Sequence, residues 1–374
     1  MRNGVVSKMA IRVLAAVLLA CAGCGGGTSG GGDAGPDADA DSDTDADGGA
    51  WPDRVFAPFV DATLYPVPEL GGISDETGIA WYALGFIVDE TGDSCTPSWG
   101  GYYDLAIGPS SWDSDGERFL YDEIADVRAA HGGDVVVSFG GAANTPLAAG
   151  CATVEALAGA YEEVIDALDL VRIDFDIEGA WIADAASIAR RSQAIAQVQG
   201  ALAASGRSLE VWFTLPVLPS GLTADGLAAV DDALSSGVAL AGVNVMAMDY
   251  GDSAAPDPAG KMGEYAIEAI TAVRDQLETL YTAHGVTLTD AALWAKIGVT
   301  PMIGMNDVTS EVFGLEDAAE IVAFADEKGL GMISMWSLNR DHPCPDQGTV
   351  STDCSSAPDQ DVDYEFSAAF GASP

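Results

Sequence analysis

From Trp51 onward the chain exchanges short apolar runs for longer helix-spaced segments, and this regular exchange limits its fold more than any other feature. Eight runs have the β-branched and aromatic content of buried strands: 55–61, 81–88, 134–141, 170–177, 209–216, 240–249, 294–302 and 331–338. Between most of them lie stretches such as 117–131, 183–205 and 262–284, whose apolar residues recur at helical spacing. Apolar strands separated by amphipathic helices form a parallel sheet covered by helices. Eight such units in roughly 320 residues predict an α/β fold, a (β/α)8 TIM barrel over 51–374. An open doubly wound sheet is the alternative, but no G-x-G-x-x-G follows the first strand.

One strand departs from the apolar rule. In LVRIDFDIEG, residues 170–179, the alternation of a strand puts Asp174, Asp176 and Glu178 on one face, with Ile173, Phe175 and Ile177 on the other. Barrel active sites lie at the C-terminal ends of the strands, so the acids form a ladder climbing to Glu178 at the rim. Closely spaced carboxylates in a low dielectric cannot all ionise, and a retained proton suits a general acid. Glu178 is the candidate donor. Asp176 is placed to hydrogen-bond it or to orient a substrate group, and Asp174 to hold Asp176. A metal on the three acids or a purely structural cluster are the competing readings. The chain has only three histidines, His131, His284 and His342, none beside a strand end, so catalytic zinc is not expected. No metal or cofactor is called for.

The segment before the barrel reads as export machinery. Arg2, Lys8 and Arg12 precede the apolar run 13–20, which is too short to span a membrane as a mature helix. LLAC resembles the bacterial lipoprotein signal, making 1–20 the signal and Cys21 the lipid-bearing residue, with Cys24 the weaker candidate and ordinary secretion the alternative. Residues 21–50 are Gly- and Asp-rich and read as a flexible, extended tether; calcium binding by the alternating Asp residues is the sharper alternative. In an oxidising compartment the remaining four cysteines suggest two disulfides, Cys95 with Cys151 and Cys344 with Cys354. A net charge of -43 opposes binding to nucleic acid or, by charge alone, to anionic lipid. The expected partner is neutral or cationic, the expected membrane contact is only the lipid anchor, and the protein is expected to be a monomer in the cell envelope or secreted.

VRIDFDIE, 171–178, resembles the strand-four signature D-G-x-D-x-D-x-E of glycoside hydrolase family 18, the chitinase family, with Val171 and Arg172 replacing the leading Asp and Gly. SFGG (138–141) is similar to the family's S-x-G-G on strand three. NVMAMDYG (244–251) resembles its strand-six motif Q-x-M-x-Y-D/N in two registers. The preferred one matches Asn244, Met246 and Asp249 and leaves Met248 where the tyrosine belongs; the other matches Tyr250 and puts Gly251 at the acidic position. Trp336 in MWSLNRD resembles the tryptophan that floors the subsite of the reacting sugar. Residues 56–68 and 95–104 look like the first two strand-to-helix connections of the bacterial branch, with Trp99, Tyr102 and Tyr103 as possible sugar-stacking surfaces.

The resemblance implies retaining, substrate-assisted hydrolysis of β-1,4 bonds beside N-acetylglucosamine in chitin or chito-oligosaccharides, without a second carboxylate as nucleophile. It assigns Glu178 as acid and then base, Asp176 to the acetamido group, Asp174 to its support, Asp249 to that group or the neighbouring acid, and Tyr250 to the acetamido oxygen. A non-hydrolytic glycan-binding barrel, an endo-β-N-acetylglucosaminidase acting on N-glycans and a carboxylate-metal hydrolase are the rival functions.

Overall fold

The computed structural model describes residues 51–102, 107, 119–346 and 348–371. The signal 1–20, Cys21, the tether to residue 50 and Tyr103 lie outside the described residues. Strand β1 comes in two pieces, Val55–Phe56 and Phe59–Asp61, interrupted around Pro58, which has no N–H for a ladder. It is followed by β2 (Trp81–Asp89), β3 (Asp134–Gly140), β4 (Arg172–Asp176), β5 (Glu210–Leu218), β6 (Leu240–Ala247), β7 (Ile297–Pro301) and β8 (Met332–Ile333). Each pairs in parallel with the next. The first piece of β1 pairs with β8 and the second with β2, so the sheet closes on itself and the expected barrel is borne out.

A helix follows every strand: α1 (Leu70–Thr77), α2 (Tyr121–His131), α3 (Val154–Ala167), α4 (Ala185–Ala204), α5 (Ala224–Ser235), α6 (Met262–Ala283), α7 (Leu315–Lys328) and α8 (Glu365–Gly371). Thr153, Asp184 and Thr223 cap α3, α4 and α5 by accepting first-turn N–H groups, which fixes where these helices begin. Outward strand residues such as Leu84, Val137, Ile173, Phe175 and Val243 share one core with helix residues such as Ile124, Leu157, Ile195 and Ile270. Phe175 stacks on Phe139 at 5.3 Å and meets Tyr161 and Phe213 edge-on; burying one such ring contributes roughly 1.5–3 kcal/mol.

Inward residues form separate groups. Early along the strands, Val55, Ala57, Trp212 and Met332 pack with Trp51 and Trp81. The Arg172 guanidinium lies 4.1 Å from the Trp51 ring and is paired with Glu210, so the residue that replaces the family glycine plugs this end of the barrel. Further along, Phe59, Ala83 and Val136 pack with Phe86 and Trp336.

Both expected disulfides form, Cys95–Cys151 and Cys344–Cys354. Two strand expectations need correction. Trp294 ends a helical turn, Asp290–Trp294, capped by Thr289, so β7 starts only at Ile297. The run 331–338 pairs as a regular strand over Met332–Ile333 alone, although Ser334 and Trp336 still donate to the Val299 and Pro301 carbonyls. Among the described residues no helix is long and apolar enough to cross a membrane.

Candidate active site

The acid ladder of β4 faces inward and is built into its neighbours. Asp174, 2% exposed, accepts from Ser138 Oγ of β3 at 2.6 Å and from Thr214 Oγ1 of β5 at 2.8 Å. Thr214 Oγ1 in turn accepts from Asn244 Nδ2 of β6 at 3.0 Å, and that amide meets Thr300 Oγ1 of β7 at 2.6 Å. A polar belt therefore crosses five consecutive strands, β3 to β7, through the barrel interior. Each Asp174 oxygen thus accepts from a hydroxyl group, and Asp174 acts on Asp176 through its charge. Burial nevertheless pushes the Asp174 carboxyl up to about 7, against the pull of those hydrogen bonds.

Asp176 comes next along the ladder. It is 7% exposed, and its Oδ1 is buried with no hydrogen-bond partner among the described residues. Burial raises its carboxyl well above the usual range, and the charges of Glu178 and Asp174 add to the rise. Glu178 follows in extended backbone, half-buried at the rim; burial raises its carboxyl first and the Asp249 charge second. The ladder thus favours protonated acids, as a general acid requires.

Strand β3 comes close to the ladder because its end lacks side chains. Gly140 has φ 116°, and a Cβ there would lie 2.1 Å from the Asp176 carbonyl oxygen. Gly141 donates to that same oxygen at 3.1 Å, and its missing Cβ leaves room for the Phe86 ring.

A cavity of about 250 Å³ opens above the acids, lined by Asp176, Glu178, Thr214, Met246, Met248, Asp249, Asp307 and Trp336 among others. Trp336 is half-buried and stacks on Phe86 at 5.7 Å, with Phe59 at 6.1 Å, so its ring is held from below. It also lines two adjoining cavities. One, about 440 Å³, includes Asp307, Arg340 and Ser351; the other, about 250 Å³, includes Tyr102, Asn144 and Thr63. Trp336 is thus shared by three neighbouring cavities, with Asp307 common to the first two and Phe86 to the first and third.

Two expected binding residues are not in the cleft. Tyr250 is 5% exposed and packs edge-on against Tyr265 in the outer core, because Asp249 at φ 52° turns the backbone away. Trp99 is fully buried and packs edge-on against Phe119, since its strand, Pro97–Trp99, folds back along β2. Tyr102, 53% exposed, supplies the aromatic surface of that loop instead. Met246, Met248 and Asp249 all line the cavity, as does Trp336. Thr214, Thr300, Phe86 and Asp307 were missed; the two threonines carry a readable signal, a lone polar residue at an inward position of an apolar strand.

No family model matches the chain. It is 41% identical over 298 residues to the probable bifunctional chitinase/lysozyme of Escherichia coli K12, a match covering 79% of this chain and 32% of that protein. Endochitinase 11 of Metarhizium anisopliae is 40% identical over 298 residues, covering 79% of this chain and 54% of that protein. The chain thus spans less than two thirds of either relative's length. Among solved structures, the catalytic domain of the hyperthermophilic chitinase from Pyrococcus furiosus superposes with a TM-score of 0.74 at 31% identity, covering 88% of this chain and 97% of that one. Catalytic-site mutants of active domain 2 of the thermostable chitinase from that organism, complexed with chito-oligosaccharides, superpose with a TM-score of 0.73 at 30% identity, covering 87% and 96%. With the ladder on β4, the paired glycines ending β3 and a near-complete match to a chitinase catalytic domain, this chain belongs to glycoside hydrolase family 18.

Proposed function

We propose that the barrel hydrolyses β-1,4 bonds beside N-acetylglucosamine in chitin or chito-oligosaccharides, with retention and with the substrate's own acetamido oxygen as nucleophile. The observation that carries this reading is the buried Asp176 Oδ1 at the foot of the cavity, an acceptor that no donor among the described residues fills. A buried carboxylate oxygen without a donor is costly, and an acetamido N–H supplies one. Bound in this way, the acetamido carbonyl is turned towards the anomeric carbon of a ring resting on Trp336.

Glu178 then gives its proton to the glycosidic oxygen as that bond breaks and the acetamido oxygen bonds to the anomeric carbon. Asp176 stabilises the positive oxazolinium that results. Glu178, now a carboxylate, takes a proton from water, which opens the intermediate and restores both the acid and the acetamido group. Asp174, kept in register by Ser138 and Thr214, shares the proton and charge of Asp176. No step uses a metal or cofactor. Export ahead of the tether, a lipid on Cys21 and action as a monomer belong to the same proposal.

The test is sugar release from fluorogenic N-acetylglucosamine oligomers, beside glucose oligomers that lack the acetamido group. Wild type cleaves the first and not the second, and Glu178→Gln loses about 10²–10⁴-fold in kcat. A wild type that binds chitin without cleaving it is a glycan-binding protein. Cleavage of the glucose series removes the substrate-assisted step.

A further inference from the structure

The β6–α6 turn brings Met248 and Asp249 into the cleft, but its local sequence does not explain how it stays there. Asp249 has φ 52°, a left-handed conformation that a non-glycine residue keeps only where its surroundings impose it. Those surroundings are the loop that follows β7. Glu311, fully buried, accepts from the backbone N–H of Tyr250 at 3.0 Å with one carboxylate oxygen and from that of Gly251 at 2.7 Å with the other. Asn306, also fully buried, accepts from the Asp249 N–H at 3.3 Å and donates to the Met302 and Gly304 carbonyls, which ties it to its own loop. The Val308 N–H completes the clamp by donating to Asp249 Oδ1 at 2.8 Å. The Asn306 backbone N–H donates to the Glu311 backbone carbonyl at 3.0 Å, so the two residues close one turn of the loop.

Neither Glu311 nor Asn306 lines the cavity. Between them they engage the N–H groups of Asp249, Tyr250 and Gly251, so the direction of the Asp249 carboxylate is set from the neighbouring β7–α7 loop. We infer that Glu311 and Asn306 are positioning residues that hold Asp249 over the cleft for the reaction proposed above, an inference that rests on that proposal. The requirement on Glu311 is chemical as well as steric. Two N–H donors need two acceptor oxygens, and Gln offers one oxygen and one NH₂, which faces a donor with a donor.

The experiment compares Glu311→Gln, Glu311→Asp, Asp249→Asn and the double variant Asp249→Asn/Glu311→Gln on fluorogenic N-acetylglucosamine oligomers. Displacing a group by about an ångström costs on the order of 10²-fold, so Glu311→Gln is expected to lose about 10- to 100-fold in kcat with KM changed less than about threefold. Glu311→Asp, which keeps two acceptor oxygens, recovers some of that loss. In the Asp249→Asn background Glu311→Gln adds less than about twofold, because both changes remove the same interaction. Hydrogen exchange of full-length protein provides a readout independent of activity: the Tyr250 and Gly251 amides lose protection in Glu311→Gln while amides of β4 and β5 keep theirs. Full additivity of the two changes, unaltered exchange at Tyr250 and Gly251, or no recovery in Glu311→Asp overturns the inference. An inert wild type overturns the proposed reaction instead, and the exchange result still decides the clamp.

Discussion

Asp174 sits where a carboxylate is hardest to keep charged. Burial lifts its carboxyl from 3.8 to about 7, so between those values the folded protein holds a proton that the unfolded chain has released. Stability conferred by that proton is complete below about pH 4 and is lost as pH rises towards 7. Asp174→Asn removes this dependence. Urea unfolding at pH 4 and pH 8 is expected to show the wild type losing on the order of 2–4 kcal/mol more than the variant over that interval. An equal loss in both proteins contradicts the assignment. At this scale alternation gave the direction of the ladder, and the motif resemblance pointed to Met246 and Trp336, which line the cavity with Asp176 and Glu178. Tyr250 and Trp99 were misread because their directions depend on a left-handed residue and on a returning hairpin, neither of which residue spacing reveals. Glu311 carried no local signal, since its partners lie 60 and 61 positions away.

Among the elements, β3 approaches β4 closely at its end, and a glycine sets their spacing. Gly140→Ala adds a methyl group 2.1 Å from the Asp176 carbonyl at a backbone angle unsuited to alanine. A loss of about 2–4 kcal/mol in urea unfolding is expected, together with a fall in kcat as β4 moves. Gly200→Ala is the contrast: it lies in α4 with open space around it, and a gain of about 0.5–1 kcal/mol is expected. If both variants behave alike, the close approach of β3 to β4 is not what sets their stability. Element type was readable for the eight strands and the helices between them because apolar runs and helical spacing report burial directly, but the helical turn ending at Trp294 was read as strand. Element ends were less readable: β8 is regular over only two residues of an eight-residue apolar run, while Ser334 and Trp336 stay bonded to β7 as the run turns to form the cleft floor.

For the whole molecule, the net charge of -43 leaves a neutral polymer such as chitin a better partner than an anionic one. The proposed lipid on Cys21 predicts uptake of labelled fatty acid into the protein. Cys21→Ala is expected to abolish that label and move the protein from the membrane to the soluble fraction, with activity on soluble oligomers unchanged; a wild type that takes up no label removes the anchor. Trp51 packs with Trp81 and Arg172, and Arg172 opens β4 two residues before the first acid, so residue 51 enters the barrel at the end of β4 away from Glu178. That placement has a mechanical consequence. β1 is bonded on both sides, with Ala57 and Phe59 donating to Ile333 and Met335 while Ala83 donates back to Pro58. Under the anchoring proposed above, a pull through residue 51 would run along β1 and load both ladders in shear, so that their bonds share the load and do not break in succession.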